Sequence, residues 1–128
     1  MLLQRRADDG QWGAVGGLME LGETPQETTR REVREEVGLE LGELRLLGTF
    51  SGPEAFHIYP NGDQVFGLSI VHAARFPGGP LLLDPAEVLE AGWFGLDELP
   101  DNLRASVRCY VRMYRAERGL PGCMICHA

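Results

Sequence analysis

Residues Gly17–Leu39 read GLMELGETPQETTRREVREEVGL, and this stretch decides the fold. Thr24, Pro25, Gln26 and Glu27 form a T-x-x-E capping box, with proline at the first helical position, where a missing N–H costs nothing. Gly38 supplies the C-terminal stop. Between these ends Thr29, Val33 and Val37 recur at every fourth position and make the inward face, while Thr28, Glu32, Glu35 and Glu36 make the opposite, acidic one. At about 100° per residue, the three glutamates project from one side of the helix. Carboxylates packed that closely repel, so a helix that carries them usually has a cation to hold. Oxygen-only ligation favours Mg²⁺ or Mn²⁺ over a softer metal. The alternative is a solvated amphipathic helix whose charge run faces water.

The spacing G-x5-E-x7-R-E-U-x-E-E-x-G-U, with U a bulky aliphatic residue, resembles the Nudix box. Every fixed position is filled: Gly17, Glu23, Arg31, Glu32, Val33, Glu35, Glu36, Gly38 and Leu39. A looser resemblance extends over residues 2 to 100. Leu2, Leu3 and Arg6 look like the end of the strand before the box, and Trp12 to Gly17 (WGAVGG) looks like the family's W-x-x-P-G-G approach. Val15 replaces the usual proline, leaving the turn less rigidly set. Thr28 and Thr29 replace a common pair of alanines, adding volume where the helix meets its surroundings. In the family an additional strand normally precedes the point where this chain begins. The first strand is therefore expected to be shortened or missing, which would expose backbone groups and apolar surface, or the true start lies upstream of Met1.

The resemblance implies an α/β (α+β) fold, a mixed β-sheet sandwiched between helices, with residues 1–128 as a single domain. It implies a metal-dependent pyrophosphohydrolase that cleaves the phosphoanhydride of a nucleoside diphosphate linked to another moiety, by water attack on phosphorus. Glu32, Glu35 and Glu36 are then expected to hold Mg²⁺ or Mn²⁺, with the backbone carbonyl of Gly16 as a further ligand. Arg31 would orient these carboxylates, Glu23 would brace the loop and Arg31, and Arg6 is a candidate substrate contact. Family enzymes often place a further catalytic glutamate on a later loop. Glu87 and Glu90, in the segment DPAEVLE before Trp93, are the candidates here, with Glu87 favoured because its loop has more freedom to fold over the cleft. A Nudix-fold module that binds a nucleotide without cleaving it is the runner-up, although such a module would be expected to have lost a catalytic glutamate.

Composition bounds the rest. The chain has 128 residues, enough for one core, and a formal charge of −7. That balance argues against a nucleic-acid duplex as partner and favours a nucleotide-type small molecule met by a metal or by local arginines. The 12 basic residues are all arginine, which suits bidentate phosphate contacts. No long apolar run or charged leader is seen, so the expectation is a cytoplasmic protein without a membrane partner, with a homodimer left open. The three cysteines give no disulfide framework. Cys123-Met-Ile-Cys126-His127 matches a haem-attachment pattern formally, but it has almost no chain after it to enclose a haem.

Along the remaining sequence, Leu44 to Phe50 reads as a strand, and Phe56 to Tyr59 leads into a hairpin that turns at Asn61-Gly62. The surrounding segments Ser51–Glu54 and Tyr59–Asp63 resemble a stretch of one bacterial Nudix subgroup. Gln64 to Phe76 reads as one central strand with apolar residues on both faces. Trp93 and Phe94 begin another. Leu103, Val107, Val111 and Tyr114 give helical spacing up to Gly119, and Arg104, Arg108, Arg112 and Arg115 line another face, read as solvated surface. His57 and His72 read as structural.

Overall fold

A computed structural model describes residues 1–116 and 123–127. The chain runs β1 (Leu2–Arg6), β2 (Trp12–Gly13), β3 (Val15–Gly16), α1 (Pro25–Val37), β4 (Leu44–Phe50), β5 (Phe56–Ile58), β6 (Gln64–Phe66), β7 (Ser69–Arg75), β8 (Val88–Trp93), α2 (Ala105–Ala116) and β9 (Cys123–His127). Three sheets result, with strand orders β2-β1-β8, β3-β9-β7-β4 and β5-β6. The second is mixed, since β3 and β9 run parallel while β7 is antiparallel to both β9 and β4.

α1 forms as its sequence dictates. The Thr24 side chain accepts a hydrogen bond from the Glu27 amide at 3.2 Å, Pro25 opens the helix, and Gly38 closes it in the left-handed region at φ 72°. Only glycine fits there twice over, because a Cβ at Gly38 would also lie 2.6 Å from Leu82 Cβ. Val33 and Val37 are buried against Leu2, Val15, Leu39, Leu41 and Ala74. On the other face of the mixed sheet Val71 and Ala73 pack with Leu47 and with Tyr110 of α2. Alternation along β7 therefore sends Ala73 toward one helix and Ala74 toward the other, and the sheet is covered on both sides.

Several sequence expectations need correction. The run from Gln64 to Phe76 is two strands in two different sheets, because Gly67-Leu68 breaks the pairing after the β5–β6 hairpin. Trp93 ends β8 instead of starting a strand, since residues 88–93 pair antiparallel with β1. Thr28 and Glu36, placed on the acidic face by helical spacing, are buried. The helix expected to reach Gly119 is described as far as Ala116, and residues 117–119 lie outside the described residues. In the mixed sheet β9 lies between β3 and β7, and the C-x-x-C-H segment is that strand. Among the described residues, no helix is long and apolar enough to cross a membrane.

Candidate active site

Two arginines organise the acidic helix. Arg31 is the first hub: its Nε donates to Glu23 Oε2 at 2.7 Å, its Nη2 to Glu23 Oε1 at 3.0 Å and to the Leu18 carbonyl at 2.9 Å, and its Nη1 to Glu32 Oε1 at 2.8 Å and Glu35 Oε2 at 3.2 Å. Bidentate geometry makes the Glu23 pair the strongest of these contacts. Glu23 also accepts from the Glu20 amide at 2.8 Å and the Thr28 hydroxyl at 3.0 Å. Arg31, then the Glu20 amide, hold the Glu23 carboxyl down at about 2, and Glu23 in turn raises the guanidinium above its ordinary value. The loop between β3 and α1 is thus tied to the helix it precedes.

The second hub is Glu36, which reaches inward. Gln4 Nε2 donates to its Oε2 at 2.6 Å and Arg6 Nη1 to its Oε1 at 2.7 Å. Burial pushes the Glu36 carboxyl up, and the hydrogen bond from Gln4 and the charge of Arg6 counteract that only in part. Burial works to lower Arg6 as well, but Glu36 beside it raises it overall. The other arm of Arg6 donates to Glu87 Oε2 at 2.9 Å, so one guanidinium bridges the helix glutamate and the later loop. That loop is fixed by α1 itself: the amides of Leu82 and Asp84 donate to the last carbonyls of the helix, Val37 and Glu36, at 2.9 and 3.1 Å. Glu90 sits elsewhere, on Arg5 at 2.9 Å. Leu2, Gln4 and Arg6 face α1, and Arg5 alternates away from them.

The sequence-derived candidates therefore fall into groups. Glu23, Glu32 and Glu35 share Arg31; Glu36 and Glu87 share Arg6; Glu90 joins neither. Arg6, read from the sequence as a substrate contact, has its guanidinium engaged by Glu36 and Glu87. Gly16 and Gly17 bring the β3 backbone against the helix, for a Cβ on Gly17 would lie 2.6 Å from Glu32 Oε1. Gln4 was not legible as a site residue, although β1 alternation, which sets Leu2, Gln4 and Arg6 on one face, is the signal that could have found it. The two threonines that replace alanine turn their added hydroxyls to use: Thr28 donates to Glu23, and Thr29 Oγ1 lies 3.1 Å from Nδ1 of buried His72. Burial, then nearby Arg30, lowers the His72 pKa and keeps the ring neutral near pH 7. His57 lies in the exposed β5–β6 hairpin, its ring edge-on to Tyr59.

Among the described residues, no three His, Cys, Asp or Glu side chains are already gathered around a common point where a metal ion would sit. The donors nevertheless fit a hard cation. Arg31 engages one oxygen each of Glu32 and Glu35, and a carboxylate has lone pairs to spare. Every donor offered by these side chains is oxygen, and the Gly17 backbone leaves Glu32 no neighbouring side chain to clash with.

Comparison with known proteins gives a consistent picture. The NUDIX domain model matches residues 1–114. The chain is 33% identical over 95 residues to the NAD-capped RNA hydrolase NudC of Citrobacter koseri, a match covering 74% of this chain and 33% of that protein. It is 34% identical over 91 residues to NudC of Chromobacterium violaceum, covering 71% and 31%. The chain thus spans about a third of the length of these curated relatives. Among solved structures, the MutT NUDIX hydrolase of Burkholderia pseudomallei superposes with a TM-score of 0.73 at 29% identity, over 88% of this chain and 85% of that one. A UDP-X diphosphatase gives a TM-score of 0.63 at 26% identity, over 92% and 58%.

Proposed function

This chain belongs to the NUDIX domain family, whose hydrolases act on phosphoanhydrides, and from that premise we propose that it is a pyrophosphohydrolase. It cleaves a nucleoside diphosphate linked to a second moiety, by attack of water on phosphorus. The observation that carries this reading is the pair of arginine-centred hubs, in which Arg31 holds Glu23, Glu32 and Glu35 and Arg6 joins Glu36 to Glu87.

Glu32, Glu35 and Glu36 hold a divalent cation, Mg²⁺ or Mn²⁺, together with the Gly16 carbonyl. When bound, that cation offsets the negative charge of the diphosphate and lowers the pKa of the attacking water. Arg31 keeps Glu32 and Glu35 aimed, and Glu23 keeps Arg31 in place. Gln4 and Arg6 fix both oxygens of Glu36 from the side of β1. Glu87, which the second arm of Arg6 holds, takes the proton of the attacking water in this reading, with Glu90 as the alternative. A phosphate oxygen reaching Arg6 competes with Glu36 and Glu87 for its donors.

The substrate is a nucleotide-type small molecule, and the cytoplasm is its expected compartment. The test panel takes a nucleoside triphosphate, ADP-ribose and a dinucleoside polyphosphate as nucleoside diphosphate derivatives, and the names of the relatives add NAD-capped RNA and a UDP-linked compound. The expected outcome is hydrolysis of at least one at its diphosphate, dependent on added Mg²⁺ or Mn²⁺. Saturable binding of a nucleotide with no cleavage of any compound would favour the non-catalytic module instead.

A further inference from the structure

β3 is a two-residue edge strand, and among the described residues its ladder partner in the mixed sheet is β9. Val15 is in register with Cys126 and Gly16 with His127, while the other edge of β9 pairs with β7 from Val71↔His127 to Arg75↔Cys123. So short a strand gains little from its own ladder and takes its position from its neighbours. On one side of the Gly16–Gly17 backbone stands β9: a Cβ on Gly16 would collide with the His127 carbonyl oxygen and come within 2.8 Å of its ring. On the other side stands the Glu32 carboxylate, 2.6 and 2.7 Å from where a Gly17 Cβ would be. Neither side leaves room for a methyl group, so the two glycines transmit the position of β9 to Glu32. β9 also lies beyond residue 114, where the family match ends, so this support comes from a segment outside the matched domain.

We propose that β9 is the positioning element of the active site, setting the depth at which the Gly16–Gly17 backbone meets Glu32. The proposal rests on the metal reading of Gly16 and Glu32 only where metal affinity is the readout. In the whole chain, Cys126→Pro removes a ladder N–H from β9, and Gly16→Ala sets a methyl group against His127 and so forces β3 and β9 apart. Hydrogen exchange followed by mass spectrometry reads the backbone, and electron paramagnetic resonance of free Mn²⁺ reads affinity.

In both variants the amides of residues 15–17 should exchange at least about tenfold faster, while residues 2–6 and 88–93 keep their protection. Mn²⁺ affinity should fall by about 10- to 100-fold, as when the supports of metal ligands are removed. A folded variant that keeps both the protection at 15–17 and the wild-type Mn²⁺ affinity overturns the proposal. If Cys126→Pro fails to fold, Gly16→Ala decides alone. If the wild-type chain binds no Mn²⁺, the metal reading fails, and the exchange comparison still decides the role of β9.

Discussion

Glu36 is the most buried of the four box glutamates, and both of its oxygens face donors from β1, Gln4 and Arg6. Replacing it with glutamine removes a charge from the proposed cation site and turns an amide N–H₂ toward one of those donors. Glu36→Gln is therefore expected to lower turnover by about a hundredfold or more and to lose about 1–3 kcal/mol of stability, the penalty for a buried donor without an acceptor. Steady-state kinetics and urea unfolding on the same preparation check both, and a variant with wild-type turnover under limiting Mg²⁺ would remove Glu36 from the metal site. Glu87 and Glu90 separate by the same logic. Glu87 shares Arg6 with Glu36, whereas Glu90 pairs with half-buried Arg5. Glu87→Gln should lower turnover and remove the acidic limb of the pH–rate profile with KM little changed, while Glu90→Gln should leave both near wild type. Profiles of the two variants side by side decide it: equal effects would end the preference for Glu87, and no effect from either would place the base within the helix cluster.

The ends of α1 could be read from the sequence because everything that starts and stops it is local, a capping threonine, a proline and a glycine, whereas the period of four left buried Thr28 and Glu36 on the wrong face. Thr24→Ala should accordingly cost about 1 kcal/mol in chemical denaturation, the usual value of an N-cap, and a loss below measurement error would mean that Pro25 and tertiary packing fix the start without it. β4 was legible in full for a similar reason, as a strand whose pattern and ends coincide. Elements whose identity depends on distant partners were not. Nothing near residues 64–76 says that the first part pairs with β5 and the second with β4 and β9, so one apolar run conceals two sheets. The same holds for β9, whose cysteines drew a chemical reading of a segment that serves as a strand between remote neighbours. Within the site, helical spacing alone singled out Glu32, Glu35 and Glu36 as a candidate set, and the resemblance to the Nudix box added Glu23 and Arg31. The Gln4–Glu36–Arg6–Glu87 chain was not legible, since it joins three elements separated by tens of residues.

Taken whole, the molecule carries 19 acidic against 12 basic residues, and its arginines are used largely as internal ties. Acid titration of such a chain has opposing parts. Falling pH first relieves the net charge of −7, and Glu36, raised by burial, favours the folded state as it protonates. Glu23 works in the other direction. Its carboxyl ordinarily titrates at 4.5 and is held at about 2 by Arg31 and the Glu20 amide. The stability it contributes is therefore complete above pH 4.5 and is lost as pH falls from there through about 2. A melting curve of the wild type alone sums these parts, so the difference from Glu23→Gln is the quantity to measure. The wild type should melt higher by a constant margin above pH 4.5, and the margin should close between pH 4.5 and about 2. A margin that stays constant down to pH 2 would mean that the Glu23–Arg31 pair does not titrate as a unit, and that the β3–α1 loop is held by its other contacts, the Leu18 carbonyl on Arg31 first among them.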